Sequence, residues 1–206
     1  MFCLLLNALS VSGYAFLNLS ILSHNILDFS DGGESEQVFR FSFSEPVATK
    51  SEMNGYDTIV LDDLACMGGP GEPVIPFKTV RILLPADKII DDVEVSPGEK
   101  LVLEQSLMIE PGQEPVPLSL LDEENLRNIA GYVLDEQINV FTEPDPVIYN
   151  SDDAFPGVIY KEGSIQNCCG YSILILNLFP VQYIPKQGKV FYYKDMTVNV
   201  LSLIHI

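Results

Sequence analysis

Residues 69–85 read GPGEPVIPFKTVRILLP, and residues 178–193 read LFPVQYIPKQGKVFYY. In both, prolines and glycines bracket runs of β-branched and aromatic residues. Proline fixes φ and removes a backbone donor, so no helix runs through either stretch. The residues between favour a pleated, half-buried surface. Fourteen glycines and fourteen prolines in 206 residues supply many tight connections, more than a helical chain would tolerate. These features predict a sheet protein.

Hydrophobic alternation places its strands. Over residues 38–43, Phe39, Phe41 and Phe43 share one face while Arg40 and Ser42 share the other. Asn54-Gly55 marks a turn before a second strand over 56–61, and Pro85 closes a third over 77–84. Residues 93–95 and 101–109 are further strand candidates. The apolar run over 172–179 suits a central strand covered on both faces. Residues 184–189 form a hairpin connection, with Pro185 starting the turn and Gly188 free to take the left-handed position. Met196, Val198 and Val200 alternate with Thr197 and Asn199 on a last strand. Residues 201–206 carry that pattern no further and read as a frayed or truncated end.

One helix is expected. Ser119 and Asp122 make a capping-box-like pair, acids cluster in the first turn, and Leu121, Leu126 and Ile129 form a stripe that Gly131 ends. Residues 142–157, rich in Pro, Asp and Ser, read as loop.

The net charge is −18, and residues 101–160 hold twelve acids against one base, Arg127. Such a surface repels a phosphate backbone, which argues against nucleic acid as a partner. A solvated face, a surface for a basic partner and calcium sites are the three uses left open. Residues 1–27 are an apolar leader, signal-peptide-like in the run from Phe2 to Leu9 but without a charged start. With Asn18-Leu19-Ser20 as a glycosylation pattern, the leader favours a secreted protein. No apolar run is long enough to span a bilayer as a helix.

The residues for catalysis are sparse. His24 and His205 sit near the chain ends, where a rigid Cys–His or Ser–His pair is hard to build. Cys3, Cys66, Cys168 and Cys169 lack zinc-finger spacing; adjacent Cys168 and Cys169 bond to each other only with a strained geometry, and a bridge from Cys66 to one of them and free thiols are equal readings. Asp62-Asp63, Asp91-Asp92, Glu123-Glu124 and Asp152-Asp153 are adjacent carboxylates on loops, which more often face water than share a proton. Calcium is the one cofactor with any support, on Asp152 and Asp153. Tyr183, Phe191, Tyr192 and Tyr193 either pack the core or offer a sugar-stacking face.

In this order, Gly55-Tyr56, Gly71-Glu72-Pro73-Val74-Ile75-Pro76, Ile82-Leu83-Leu84-Pro85, Tyr149, Phe155-Pro156-Gly157 and Pro180-Val181-Gln182-Tyr183-Ile184-Pro185 with Gly188 resemble the N-terminal propeptide domain of gingipain-type cysteine peptidases. The resemblance covers roughly residues 38–200, and its most specific element is the Pro-Val-Gln-Tyr-x-Pro-x-x-Gly hairpin. It implies an all-β, antiparallel β-sandwich with one short helix, occupying 28–200 between the leader 1–27 and the end 201–206. It further implies a non-catalytic intramolecular chaperone and inhibitor whose partner is the cognate cysteine peptidase catalytic domain. In that family the catalytic Cys and His lie in the following domain, so Cys168 and Cys169 are not the nucleophile. No such domain follows here, leaving a truncated precursor or a free-standing relative.

Residues 111–143 match none of the family's motifs, so no inhibitory residue carries over. Arg127 is the residue whose chemistry suits a peptidase specificity pocket; its alternative is a solvent-facing helix position. The rival function is a secreted carbohydrate-binding or adhesion module. A hydrolase using paired carboxylates is the third.

Overall fold

The computed structural model describes residues 26–29, 34–50, 55–62, 64–85, 88–103, 105–115 and 141–204. Its strands are, in chain order, β1 (Ile26–Phe29), β2 (Glu34–Ser42), β3 (Val47–Lys50), β4 (Asp57–Val60), β5 (Ala65–Met67), β6 (Ile75–Leu83) and β7 (Lys88–Pro97). They continue with β8 (Lys100–Val102), β9 (Tyr160–Cys168), β10 (Tyr171–Leu178), β11 (Val181–Ile184), β12 (Lys189–Tyr193) and β13 (Asp195–Ile204). All the ladders are antiparallel.

Two four-stranded sheets, ordered β1-β2-β13-β7 and β5-β6-β10-β9, form the sandwich. Phe39, Val93, Val95, Met196, Val198 and Val200 of the first sheet and Val80, Ile82, Leu174 and Leu176 of the second belong to one buried cluster. Links between the sheets include the Tyr160 hydroxyl donating to the Val93 carbonyl at 3.0 Å. The Lys78 ammonium lies 5.8 Å from the centre of the Phe41 ring. The face read from Phe39, Phe41 and Phe43 is therefore the inner one, with Phe39 and Phe41 on β2 and Phe43 just beyond it; Phe39 and Phe43 are buried and Phe41 is half-buried. A three-stranded sheet, β11-β12-β8, and the β3-β4 pair complete the fold, with β4 and β11 lying against β6.

The fold class read from the sequence is the one observed, and so are the turn at Gly55 and the hairpin after β11. There, residues Pro185–Gln187 make a single 3-10 turn that Gly188 ends with φ 63°. Several elements differ. β13 runs on through Leu201 to Ile204, where fraying was expected. Its inward alternation continues, but the next inward position is Ser202, 1% exposed, so the pattern vanishes from the hydrophobicity alone. The Ser202 and Ser35 hydroxyls meet at 2.7 Å across β13 and β2. β1 begins at Ile26, so the strand straddles the expected boundary between leader and domain.

The expected helix over 119–131 lies outside the described residues, as do His24, His205, Cys3 and Asn18. The described helix, α1 (Pro146–Tyr149), falls where loop was expected. Asp145 caps it by accepting from the Val147 amide at 2.8 Å, and Pro146 opens its only turn. One turn is too short to leave an apolar stripe. Among the described residues no helix is long and apolar enough to cross a membrane.

Candidate functional site

The segments singled out by their prolines and glycines converge on one extended stretch, residues 107–112. On one side runs the start of β4: the Asp57 amide donates to the Met108 carbonyl at 2.7 Å, and the Glu110 amide donates to the Asp57 carbonyl at 3.0 Å. The Asp57 carboxylate also accepts from the Met108 amide at 2.7 Å. On another side is the 69–74 loop. There the Gly71 amide donates to the Gly112 carbonyl at 2.9 Å, the Gly112 amide to the Glu72 carbonyl at 2.8 Å, and the Val74 amide to the Glu110 carbonyl at 3.0 Å. Gly112 is required by this approach, because a Cβ there would sit 2.3 Å from the Gly69 carbonyl oxygen.

Two phenols fasten the same stretch from the β11 side. Tyr183, 1% exposed, donates to the Leu107 carbonyl at 3.0 Å, and Tyr149 of α1 donates to the Ile109 carbonyl at 2.7 Å. Burial pushes both phenols above their ordinary range; for Tyr149 the neighbouring Tyr183, Tyr56 and Glu110 add to the rise. Gln182 secures the turn beside them. Its amide nitrogen donates to the Val158 and Phe179 carbonyls at 3.0 and 3.3 Å, and its oxygen accepts from the Gly157 amide at 3.2 Å. The Phe155-Pro156 bond within that turn is cis. Phe155 and Tyr183 exchange backbone hydrogen bonds at 2.7 and 2.9 Å. The Gln-Tyr pair of the hairpin motif is thus a structural fastening.

Next to this assembly, residues 113–114 and residue 142 are bonded to each other. The Thr142 amide donates to the Gln113 side-chain oxygen at 2.8 Å, and the Glu114 amide donates to the Thr142 hydroxyl at 2.8 Å. Reciprocal bonds therefore clamp these residues together. Beside Thr142, the rings of Tyr56 and Phe141 stack with centres 5.8 Å apart. No sequence pattern announces the Gln113–Thr142 clamp, since its members are 29 residues apart. Arg127 belongs to 116–140 and lies outside the described residues.

The other candidates are placed as follows. Asp152 pairs with the Lys186 ammonium and accepts from the Gln187 side-chain Nε2 at 3.3 Å. Those bonds hold its carboxyl below the usual range. The oxygens offered to calcium are turned toward a lysine. The Asp153 carboxylate accepts from the Ser151 hydroxyl at 3.3 Å, and among the described residues no group of acids, histidines or cysteines is gathered for a metal. Asp91 and Asp92 are exposed on β7, and Asp62 accepts from the Ser44 hydroxyl at 2.6 Å. Asp63, Glu123 and Glu124 are outside the described residues.

The sugar-stacking face is corrected by burial: Tyr183, Phe191 and Tyr192 are 1, 7 and 6% exposed. Phe191 meets Tyr193 edge-on, and the Lys100 ammonium covers its ring at 3.6 Å. Phe191 and Tyr192 are successive residues of β12 and so point to opposite faces, and both faces are covered. Cys66, Cys168 and Cys169 are unbridged, so Cys66 does not join its candidates.

No protein-family model matches the sequence, and no curated protein matches it significantly. Solved structures do match the fold. One is a chain of the complex of Porphyromonas gingivalis RgpB pro- and mature domains, with a TM-score of 0.57 and 14% identity, covering 85% of this chain and 81% of that one. Another is from work on the zymogenic latency of gingipain K from Porphyromonas gingivalis. It has a TM-score of 0.60 and 17% identity, covering 87% of this chain and 92% of that one. The chain therefore has a gingipain propeptide-like fold, as the ordered motifs imply.

Proposed function

We propose that this chain is a non-catalytic prodomain, an intramolecular chaperone and inhibitor of a gingipain-like cysteine peptidase. The observation that carries this reading is a fold shared over most of both chains with structures concerned with a pro- and mature-domain complex and with zymogenic latency. The proposed partner is the peptidase catalytic domain, and the proposed location is outside the cytoplasm, reached through the leader 1–27.

The clamped base around Gln113 and Thr142 supports an inhibitory contact within 116–140. A stretch whose two ends are held together needs less ordering on binding, which leaves more of the contact energy as affinity. We assign that contact to Arg127, the sole cation among residues 101–160. A guanidinium reaching a carboxylate in a specificity pocket makes the short, charge-assisted pair that anchors such interfaces.

The test titrates the purified chain against a gingipain-type catalytic domain. Saturable inhibition, together with a higher yield when that domain refolds beside the chain, is the expected result. Arg127→Ala should weaken inhibition by about 30-fold, the effect of losing an interface anchor. Full peptidase activity at a large excess of the chain, or turnover of a substrate by the chain alone, overturns the reading. Unchanged inhibition by Arg127→Ala removes only the role given to that residue.

A further inference from the structure

The β9–β10 hairpin closes on Cys169-Gly170, whose φ angles are both positive, 52° and 84°. Cys168 pairs with Tyr171 across the ends of the two strands. Positive φ at both loop positions is the backbone of a type I′ turn, which usually draws Asn-Gly or Gly-Gly. Here a cysteine occupies the first of them.

That placement changes what two adjacent cysteines can do. Successive residues of a strand point to opposite faces, which holds neighbouring thiols apart. With Cys169 in the left-handed region, its Sγ lies 3.9 Å from that of Cys168. Both cysteines are exposed, as is every residue from 161 to 171, and a Cβ built on Gly170 would meet nothing within 4 Å. The tip can adjust without disturbing a packed neighbour. Cys66 is exposed as well, but its thiol has different surroundings. It donates to the Ile59 carbonyl at 3.5 Å, and burial, with the Glu110 charge behind it, pushes its pKa up and lowers its reactivity.

We propose that Cys168 and Cys169 form a surface vicinal dithiol that exchanges with low-molecular-weight disulfides and ends as a bond between the two. One cysteine thiolate attacks a sulfur of the small disulfide and expels the first small thiolate. The second cysteine thiolate then attacks the protein sulfur of that mixed disulfide and expels the other. The two protons released by the cysteines end on the two small thiols. The chain loses two hydrogens as the small disulfide gains them. Closure brings the sulfurs from 3.9 Å to a bonding distance of about 2.0 Å, and the strain of a bond between neighbouring residues falls on a tip whose cysteines are exposed. The second step is intramolecular and outruns a second encounter with the small disulfide. This chemistry is independent of whether the chain binds a peptidase.

The experiment treats the reduced, full chain with glutathione disulfide and weighs the hairpin-tip peptide by mass spectrometry. The expected result is a tip that has lost two hydrogens and retains no glutathione. Cys168→Ser and Cys169→Ser should each retain one glutathione on the remaining cysteine. Before oxidation the wild-type chain should also hold one phenylarsine oxide at the tip, and either serine variant should lose that capture. Both side chains are exposed, so an unchanged circular dichroism spectrum verifies that the variants fold. A tip carrying two glutathiones, a tip left unmodified, or arsenical capture without disulfide closure overturns the proposal.

Discussion

Tyr183 shows how one side chain joins segments far apart in the chain. Its hydroxyl reaches the Leu107 carbonyl, 76 positions away, from a fully buried ring. Tyr183→Phe keeps the ring and strands that carbonyl, so unfolding in urea should show a loss of about 1–3 kcal/mol. An unchanged midpoint would mean that another donor reaches the carbonyl. Two glycines offer a sharper comparison because both have φ above +60°. A Cβ at Gly188 would lie 2.6 Å from the Ser106 hydroxyl and 3.0 Å from the Leu107 carbonyl oxygen, whereas Gly170 faces open space. Gly170→Ala should therefore cost about 1 kcal/mol from backbone strain alone. Gly188→Ala should cost about 2 kcal/mol or more, as strain and overlap combine. Equal losses in matched denaturation curves would contradict the close approach of residues 106–107 to this turn.

At the scale of elements, β13 is held centrally between β2 and β7, and its polar inward residue, Ser202, is matched by Ser35. The two sides are not equivalent, since the Ser202 hydroxyl also donates to the Ser35 carbonyl at 3.3 Å. After Ser35→Ala the Ser202 hydroxyl keeps a partner. After Ser202→Ala the Ser35 hydroxyl is buried with none. Ser202→Ala should then be the costlier single change, at about 1–3 kcal/mol, and the double variant should cost no more than Ser202→Ala alone. Additive losses in the cycle would show that the hydroxyls do not share a bond. β9 is the contrasting element. It reads Tyr-Lys-Glu-Gly-Ser-Ile-Gln-Asn-Cys, lies on a sheet edge and is exposed along most of its length. Nothing in its composition marks a strand; pairing with β10 makes it one. A shift in that ladder between Leu174 and Leu176 accommodates Gly163 and Ser164.

For the whole molecule, the half-buried Tyr149 and the buried Tyr183 predict a response to alkali. Tyr149 and Tyr183 have folded pKa values above the ordinary phenol value of 10.0. As pH rises past that value the unfolded chain releases these protons first and so binds fewer than the folded chain. Stability is thus complete below about pH 10 and falls as pH climbs toward the raised folded values. Tyr149→Phe should flatten this decline, as measured by urea midpoints across the alkaline range. The chain has no tryptophan, so tyrosine fluorescence or circular dichroism reports the unfolding. An identical slope in the variant would place Tyr149 in water.

The all-β class, the inner face of β2 and the hairpin at Pro185–Gly188 are legible in the residues themselves. Each depends on local chemistry: side-chain alternation, the fixed φ of proline and the left-handed freedom of glycine. The cap and proline that start α1 are present there too, in Asp145-Pro146, although a single turn gave no stripe to reveal them. Packing is what makes β13 continue through Ser202, makes β9 a strand, covers both faces of β12 and joins Gln113 to Thr142. In each case the deciding partner comes from a distant part of the chain, and a hydrogen bond or covering side chain supplied from there leaves no periodic trace in the local sequence.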